Sequence, residues 1–171
     1  MNTNLYNYNP PIQKSYKARA VDALFADVRP THFITIDFAQ GRWIAGEHGG
    51  RTRVRGDDVI YELTYQSFMR SLSKPLTTRT AWKYHRPILR SAYAFEGGTT
   101  DERYHLHMIV AKPDNVEEEI FCMMVNRTAA GNSWIMNGDH AVDIQRVDSN
   151  AEAIRATFYS LKRGTNRMCM T

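Results

Sequence analysis

The sequence predicts an α+β fold: a central antiparallel sheet of about five strands, with two helices on one face and a C-terminal helix by the other. Two observations carry this expectation. Stretches of strict apolar alternation, such as Arg103-Tyr104-His105-Leu106-His107-Met108-Ile109-Val110, are interleaved with stretches of helical apolar spacing. Their order along the chain is β, α, β-hairpin, α, β, α, in which a hairpin requires antiparallel neighbours. The 171 residues, 43% hydrophobic and 23% charged, amount to about one domain with a core that needs no disulfide or metal staple. We divide the chain into an N-terminal extension with a short helix, residues 1–30, and a folded domain, residues 31–171.

The extension is polar and rich in Tyr and Asn, and its amphipathic stretch from Ala20 to Val28 precedes Pro30. From Thr31 to Phe38 the run is β-rich and bounded by turn residues, hence a strand. Gly41 to Gly56, rich in Gly and Arg, reads as a loop or hairpin. Asp57 and Asp58 open a helix at the favourable end of its dipole; Tyr61, Tyr65, Phe68 and Leu72 form its apolar face, and Lys74-Pro75 closes it. Ile88 to Glu96 and Tyr104 to Ala111 form a hairpin about the turn from Gly97 to Asp101, so Glu96 ends one arm beside the histidines of the other. Pro113-Asp114 starts the next helix, with Asp114 and Glu117 as its start signal and Val116, Ile120, Met123 and Met124 as its buried stripe. Gly131-Asn132 ends it. His140 to Val147 alternates as a further strand, Val142 and Ile144 on one face, Asp143 and Gln145 on the other. Ser149 and Glu152 make a capping-box pattern for a last helix running to about Arg163.

The apolar runs are too short to span a bilayer, and the polar start Met1-Asn2-Thr3-Asn4 lacks the blocks of a secretory signal, which places the chain in the cytoplasm. Cys122, in a helix, and Cys169, in the tail, offer neither a disulfide framework nor a metal-binding spacing and read as free thiols. A net charge of +4 leans toward a polyanionic partner. Arg51, Arg53 and Arg55 alternate, and Arg79, Lys83, Arg86 and Arg90 cluster with Trp82, Tyr84 and His85. Cations among aromatics suit single-stranded nucleic acid, where charges follow phosphates and rings stack on bases; an ordinary solvated loop is the competing reading.

His105 and His107 share one strand face while Leu106, Met108 and Val110 take the other. That face presents two nitrogen ligands to one divalent metal, although a surface or hydrogen-bonded pair would leave the same spacing. On the last helix Ile154, Phe158 and Leu161 are the apolar stripe, and Glu152, Arg155, Tyr159 and Lys162 lie beside it. A metal-binding His pair, a nearby carboxylate and a Tyr followed by a Lys one turn on are the parts for breaking a phosphodiester covalently.

His105-Leu106-His107 resembles the His-hydrophobe-His motif of the HUH endonucleases, which comprise rolling-circle replication initiators and their relaxase and transposase relatives. Tyr159-Ser160-Leu161-Lys162 looks like the Tyr-x-x-Lys motif of the single-tyrosine initiators, and Phe33-Ile34-Thr35-Ile36-Asp37 is similar to their looser first motif. The three stand in the family's order and span Thr31 to Lys162. The resemblance implies an HUH sandwich, related to RNA-recognition modules, in which residues 31–171 are the nuclease domain. It implies Mg²⁺ or Mn²⁺ on His105, His107 and Glu96, the last occupying the place of the carboxylate that precedes the His motif in viral-type initiators; Asp37 and Asp143 are rivals. Tyr159 is then the nucleophile and Lys162 its supporting cation, with Arg79, Lys83, Arg86, Arg90 and Arg155 as candidate DNA contacts.

The implied activity is a site-specific endonuclease and strand transferase. It nicks and religates single-stranded or extruded origin DNA through a 5′-phosphotyrosine and frees a 3′-OH that primes rolling-circle replication of a plasmid, virus or phage. Host helicase and polymerase are the implied partners, in a bacterial cytoplasm, or in the nucleus for a eukaryotic virus. Initiators often carry a helicase after the nuclease, and this chain stops soon after Lys162, which implies an excised domain or a compact element whose host supplies unwinding. A relaxase or tyrosine transposase would share the chemistry. A non-catalytic RNA-binding module of the same architecture is the alternative outside enzymes, against which the strands show no aromatic-rich RNP-type motif.

Overall fold

Alternation in the central segments decides which side chains meet the helices. The computed structural model describes residues 29–46, 49–76, 89–97, 103–149, 152 and 169–170. Strands β1 (His32–Asp37), β4 (Ser91–Glu96), β5 (His105–Val110) and β6 (Val142–Arg146) form an antiparallel sheet in the order β6-β1-β5-β4. A two-residue strand, β7 (Cys169–Met170), pairs with β4 at the edge. Between β1 and the first helix, β2 (Gly41–Ala45) and β3 (Arg51–Arg55) form a separate two-stranded ribbon. Helices α1 (Asp58–Ser73) and α2 (Glu118–Ala130) complete an α+β architecture.

Ile34, Ile36, Tyr93, Leu106, Met108 and Val110 project toward the helices and join Tyr61, Tyr65, Phe68, Leu72, Phe121 and Val125 in one core. The two tyrosines Tyr65 and Tyr93 stack with ring centres 3.7 Å apart, tying α1 to β4. Asp57 caps α1 by accepting from the Ile60 amide at 2.8 Å, as the paired acids predict. The turn after Glu96 depends on Gly97. At φ +99° a side chain is strained, and a Cβ there would lie 2.0 Å from the Arg103 carbonyl oxygen, so glycine lets the two hairpin arms close together.

Three expectations need correcting. Helix α2 begins at Glu118 rather than at Pro113-Asp114, because Pro113 to Val116 forms a turn closed by the Val116 amide on the Pro113 carbonyl at 3.1 Å. Its buried stripe is Phe121, Val125 and Ala129, whereas Ile120 and Met123 are 45% and 58% exposed; Val116 and Met124 only flank the core. This helix carries two apolar stripes. The one with the aromatic ring, which has the larger area to bury and packs 4.8 Å from the His32 ring, turns inward. The tail around Cys169 likewise contributes a strand that its local sequence did not signal. Where the last helix is expected to start, the Ser149 hydroxyl accepts from the Glu152 amide at 3.2 Å, one half of a capping box, while the Glu152 carboxylate accepts from the Asp148 amide at 2.9 Å rather than from that of Ser149. The N-terminal extension up to residue 28 and the expected last helix beyond Glu152 lie outside the described residues.

Candidate metal centre

The register across three strands assembles the site. Asp37 on β1 and Glu96 on β4 both stand opposite His105 on β5, and Thr35 and Ala94 both stand opposite His107. Directly paired residues of antiparallel strands share a face, so the five chemically active side chains Thr35, Asp37, Glu96, His105 and His107 lie on the sheet surface away from the helices. Ala94 beside His107 leaves room for the imidazole. Glu96 reaches diagonally past it, placing Oε2 2.8 Å from Nε2 of His107.

Each ring is held at its other nitrogen by β1. Nδ1 of His105 donates to Oδ1 of Asp37 at 2.6 Å, and Nδ1 of His107 lies 3.0 Å from the Thr35 hydroxyl. Phe33 stacks flat on His107, with centres 5.7 Å apart and planes within 5°. The two imidazoles stand side by side, 6.2 Å between centres and 25° between planes. His107 is buried, and this desolvation holds its pKa below the ordinary 6.5 despite the opposing pull of Glu96, which favours the neutral imidazole that a metal requires.

Among the described residues the ligand atoms of His105, His107 and Glu96 do not form a group within 4.8 Å of one another, so a divalent ion held by all three needs these side chains to draw closer. Both Nδ1 atoms are engaged by β1, and Nε2 of His107 is hydrogen-bonded to Glu96, so an ion on that nitrogen would take the place of the shared proton. Metal-binding histidines are characteristically oriented in this way by a carboxylate or hydroxyl at the second nitrogen. A ligand at Nε2 of His107 requires the proton on Nδ1, and the Thr35 hydroxyl can serve that tautomer as acceptor and the other as donor. Of the rival carboxylates, Asp37 orients His105. Asp143 is separated from β5 by β1, about 10 Å away, and accepts from the Gln145 side chain at 2.7 Å.

Other expected site residues fall elsewhere. Arg79, Lys83, Arg86, Arg155, Tyr159 and Lys162 lie outside the described residues. Arg90 is half-buried just before β4, at the opposite end of that strand from Glu96 and so about 20 Å from the His105 row. Tyr93 and Tyr104 turn away from the histidines: the Tyr93 hydroxyl donates to Glu62 at 2.8 Å and the Tyr104 hydroxyl to Asp58 at 2.5 Å, both on α1. The bond to Asp58, aided by burial, pushes the Tyr104 pKa up to about 12.

A second gathering of donors escaped the sequence reading. His32, Glu118 and Cys122 bring one ligand atom each within 4.8 Å of one another on the helix side of the sheet. The signal for half of it was present, since Glu118 and Cys122 are four apart on one helix stripe; the pairing with His32 is tertiary. Its nitrogen, oxygen and sulfur donors suit a softer ion such as Zn²⁺. However, His32 and Glu118 already satisfy each other at 2.5 Å, and burial and the Glu118 charge push the Cys122 thiol up, away from the thiolate a metal needs. A cavity of about 630 Å³ between α1 and α2, lined by Ser67, Phe68, Met124 and Arg127 among others, is also on the side remote from His105. Among the described residues no helix is long and apolar enough to cross a membrane. Comparison of the chain with protein-family models, with curated proteins and with solved structures returns no match.

Proposed function

We propose that this protein nicks and religates single-stranded origin DNA through a 5′-phosphotyrosine, the reaction of an HUH-type rolling-circle replication initiator. One observation carries the reading: two histidines with ordered rings and a carboxylate share one sheet face, each Nδ1 bonded to β1 and Glu96 facing Nε2 of His107. His105, His107 and Glu96 would hold Mg²⁺ or Mn²⁺, which when bound there polarises a scissile phosphate and offsets its developing charge.

The chain's own residues supply the rest. Asp37 and Thr35 keep the two rings in place, so little reorganisation is needed when the phosphate arrives. Tyr159, assigned from its Tyr-x-x-Lys sequence, attacks phosphorus through its phenolic oxygen and gives up its proton. The bond from phosphorus to the 3′-oxygen breaks, that oxygen is protonated, and the strand is left as a 5′-phosphotyrosine and a free 3′-OH. Lys162, three residues on in the sequence, is assigned to stabilise the phenolate and the phosphate charge. Attack by a 3′-OH on the phosphotyrosine reverses the step and religates without a nucleotide cofactor.

The test is incubation of the full chain with single-stranded DNA from its parent replicon and Mn²⁺, followed by denaturing electrophoresis. A covalent protein–DNA band that requires the metal is expected. Cleavage without an adduct, or an adduct that forms in EDTA, would overturn the proposal.

A further inference from the structure

The β2–β3 ribbon carries a surface that the metal centre does not use. Its register pairs Gly41 with Arg55, Trp43 with Arg53 and Ala45 with Arg51. Paired residues share a face, so one side of the ribbon displays Arg51, Arg53 and Arg55 in a line with Trp43 among them. A Cβ added to Gly41 would meet Nε of Arg53 at 3.4 Å, which places that side chain on the same side. All three arginines are exposed, and Trp43 is 64% exposed. An indole with most of its surface in water between guanidinium groups gains little from the fold, and among the described residues no acid lies within ion-pair distance of any of the three arginines.

The opposite side holds the ribbon to the body. Arg42 bonds the Ser133 hydroxyl and lies over the Trp134 ring, 5.5 Å from its centre. At the base the Gly56 amide donates to the Gln40 carbonyl at 3.1 Å, and a Cβ on Gly56 would lie 2.1 Å from the Tyr61 hydroxyl, so the ribbon leaves the body at a close-packed point. The chain reaches Gly41 only a few residues after Asp37, which stands in the His105 row. The ribbon therefore projects from the end of the sheet at which His105 and Glu96 lie.

We propose that the face formed by Trp43, Arg51, Arg53 and Arg55 binds single-stranded DNA, with the guanidinium groups on phosphates and the indole stacked on an unpaired base. Arginines two residues apart on a strand stand about 7 Å from each other, and their flexible stems can follow a phosphate backbone. An acidic protein surface would satisfy the charges but leave the indole without a role. A duplex would meet the charges too, but its bases are stacked on each other and not on a side chain. This assignment deepens the nuclease reading by naming the element that leads the strand toward the histidines, although the binding itself does not depend on cleavage.

The experiment measures binding of a fluorescent single-stranded oligonucleotide to the full chain by anisotropy, in EDTA, across a salt series. The Arg51→Ala, Arg53→Ala, Arg55→Ala triple variant should weaken binding and lower the log–log salt slope by about 0.7 for each phosphate that is no longer neutralised. Trp43→Ala should weaken binding about 5- to 100-fold with little change in slope. Unchanged slope and affinity in the triple variant, with its thermal unfolding as wild type, would overturn the proposal, as would tighter binding of a duplex of the same sequence. A protein that binds through the ribbon yet forms no adduct with Mn²⁺ would leave this inference standing and remove the nuclease reading; one that forms the adduct with the ribbon charges irrelevant to binding would do the reverse.

Discussion

Nδ1 of His105 and Oδ1 of Asp37 lie 2.6 Å apart on directly paired positions of neighbouring strands. This bond gives two carboxylates of the same row different work: Asp37 orients the His105 imidazole, and Glu96 stands at Nε2 of His107. Glu96→Ala should therefore lose most Mn²⁺ affinity, while Asp37→Asn, which can still accept from Nδ1, should lose about 10-fold. Calorimetry with Mn²⁺ decides it, and a larger loss in Asp37→Asn than in Glu96→Ala would reverse the two roles.

Thr35 supports a finer expectation. Its hydroxyl is the partner of Nδ1 in His107, so Thr35→Val, equal in shape, leaves that nitrogen without a hydrogen bond in a buried site. Metal affinity should fall about 10-fold, and Thr35→Ser should restore it. If valine binds Mn²⁺ as tightly as threonine, the hydroxyl plays no part in orienting the ring.

Burial holds the His107 pKa below 6.5, and the sign of the consequence follows. The unfolded chain takes up a proton on this residue at higher pH than the folded one. Neutral His107 thus contributes stability that is present above the unfolded value and lost as pH falls through the folded one. Imidazole proton shifts of the metal-free protein should give a midpoint below 6.5 for His107, and urea unfolding should weaken less on acidification in His107→Gln than in wild type. A midpoint above 6.5 would mean that Glu96 outweighs desolvation.

How far the sequence discloses the site follows from the range of each signal. Alternation separates His105 and His107 from Leu106 and Met108, and the short turn at Gly97 sets Glu96 opposite His105, because both are local. The parts played by Thr35 and Asp37 depend on β1 pairing with a strand about seventy residues further on, and nothing in either strand encodes its neighbour. Cys169 and Met170 escaped notice for the same reason: two residues join an edge that only tertiary structure creates.

Helix α2 shows a different limit, since its pattern allowed two faces and the packing chose between them. Phe121→Ala should cost about 3–5 kcal/mol, whereas Met123→Ala should stay within about 0.5 kcal/mol of wild type. Urea denaturation compares them directly. Equal costs would mean that the stripe containing Met123 is the buried one after all.

The choice of nucleophile can now be argued by what holds the alternatives. Tyr93 and Tyr104 lie in or beside the hairpin that carries His105, yet both hydroxyls donate to carboxylates of α1 on the helix side of the sheet. A phenol bonded to an anion is harder to ionise, and Tyr104 at about 12 is two units further from neutrality than an ordinary tyrosine at 10.0. Neither can present an oxygen to a phosphate lying over His105 and His107 without breaking that bond and crossing the sheet. Tyr159 is the nucleophile by the Tyr-x-x-Lys spacing alone, with Lys162 three residues later. Tyr159→Phe should bind DNA and Mn²⁺ as wild type and form no covalent adduct; Tyr93→Phe and Tyr104→Phe should form it at near wild-type rate, and Lys162→Ala more slowly. Mass spectrometry of the adduct identifies the modified residue, and a phosphotyrosine at Tyr93 or Tyr104 would require the sheet to be entered from its helix side.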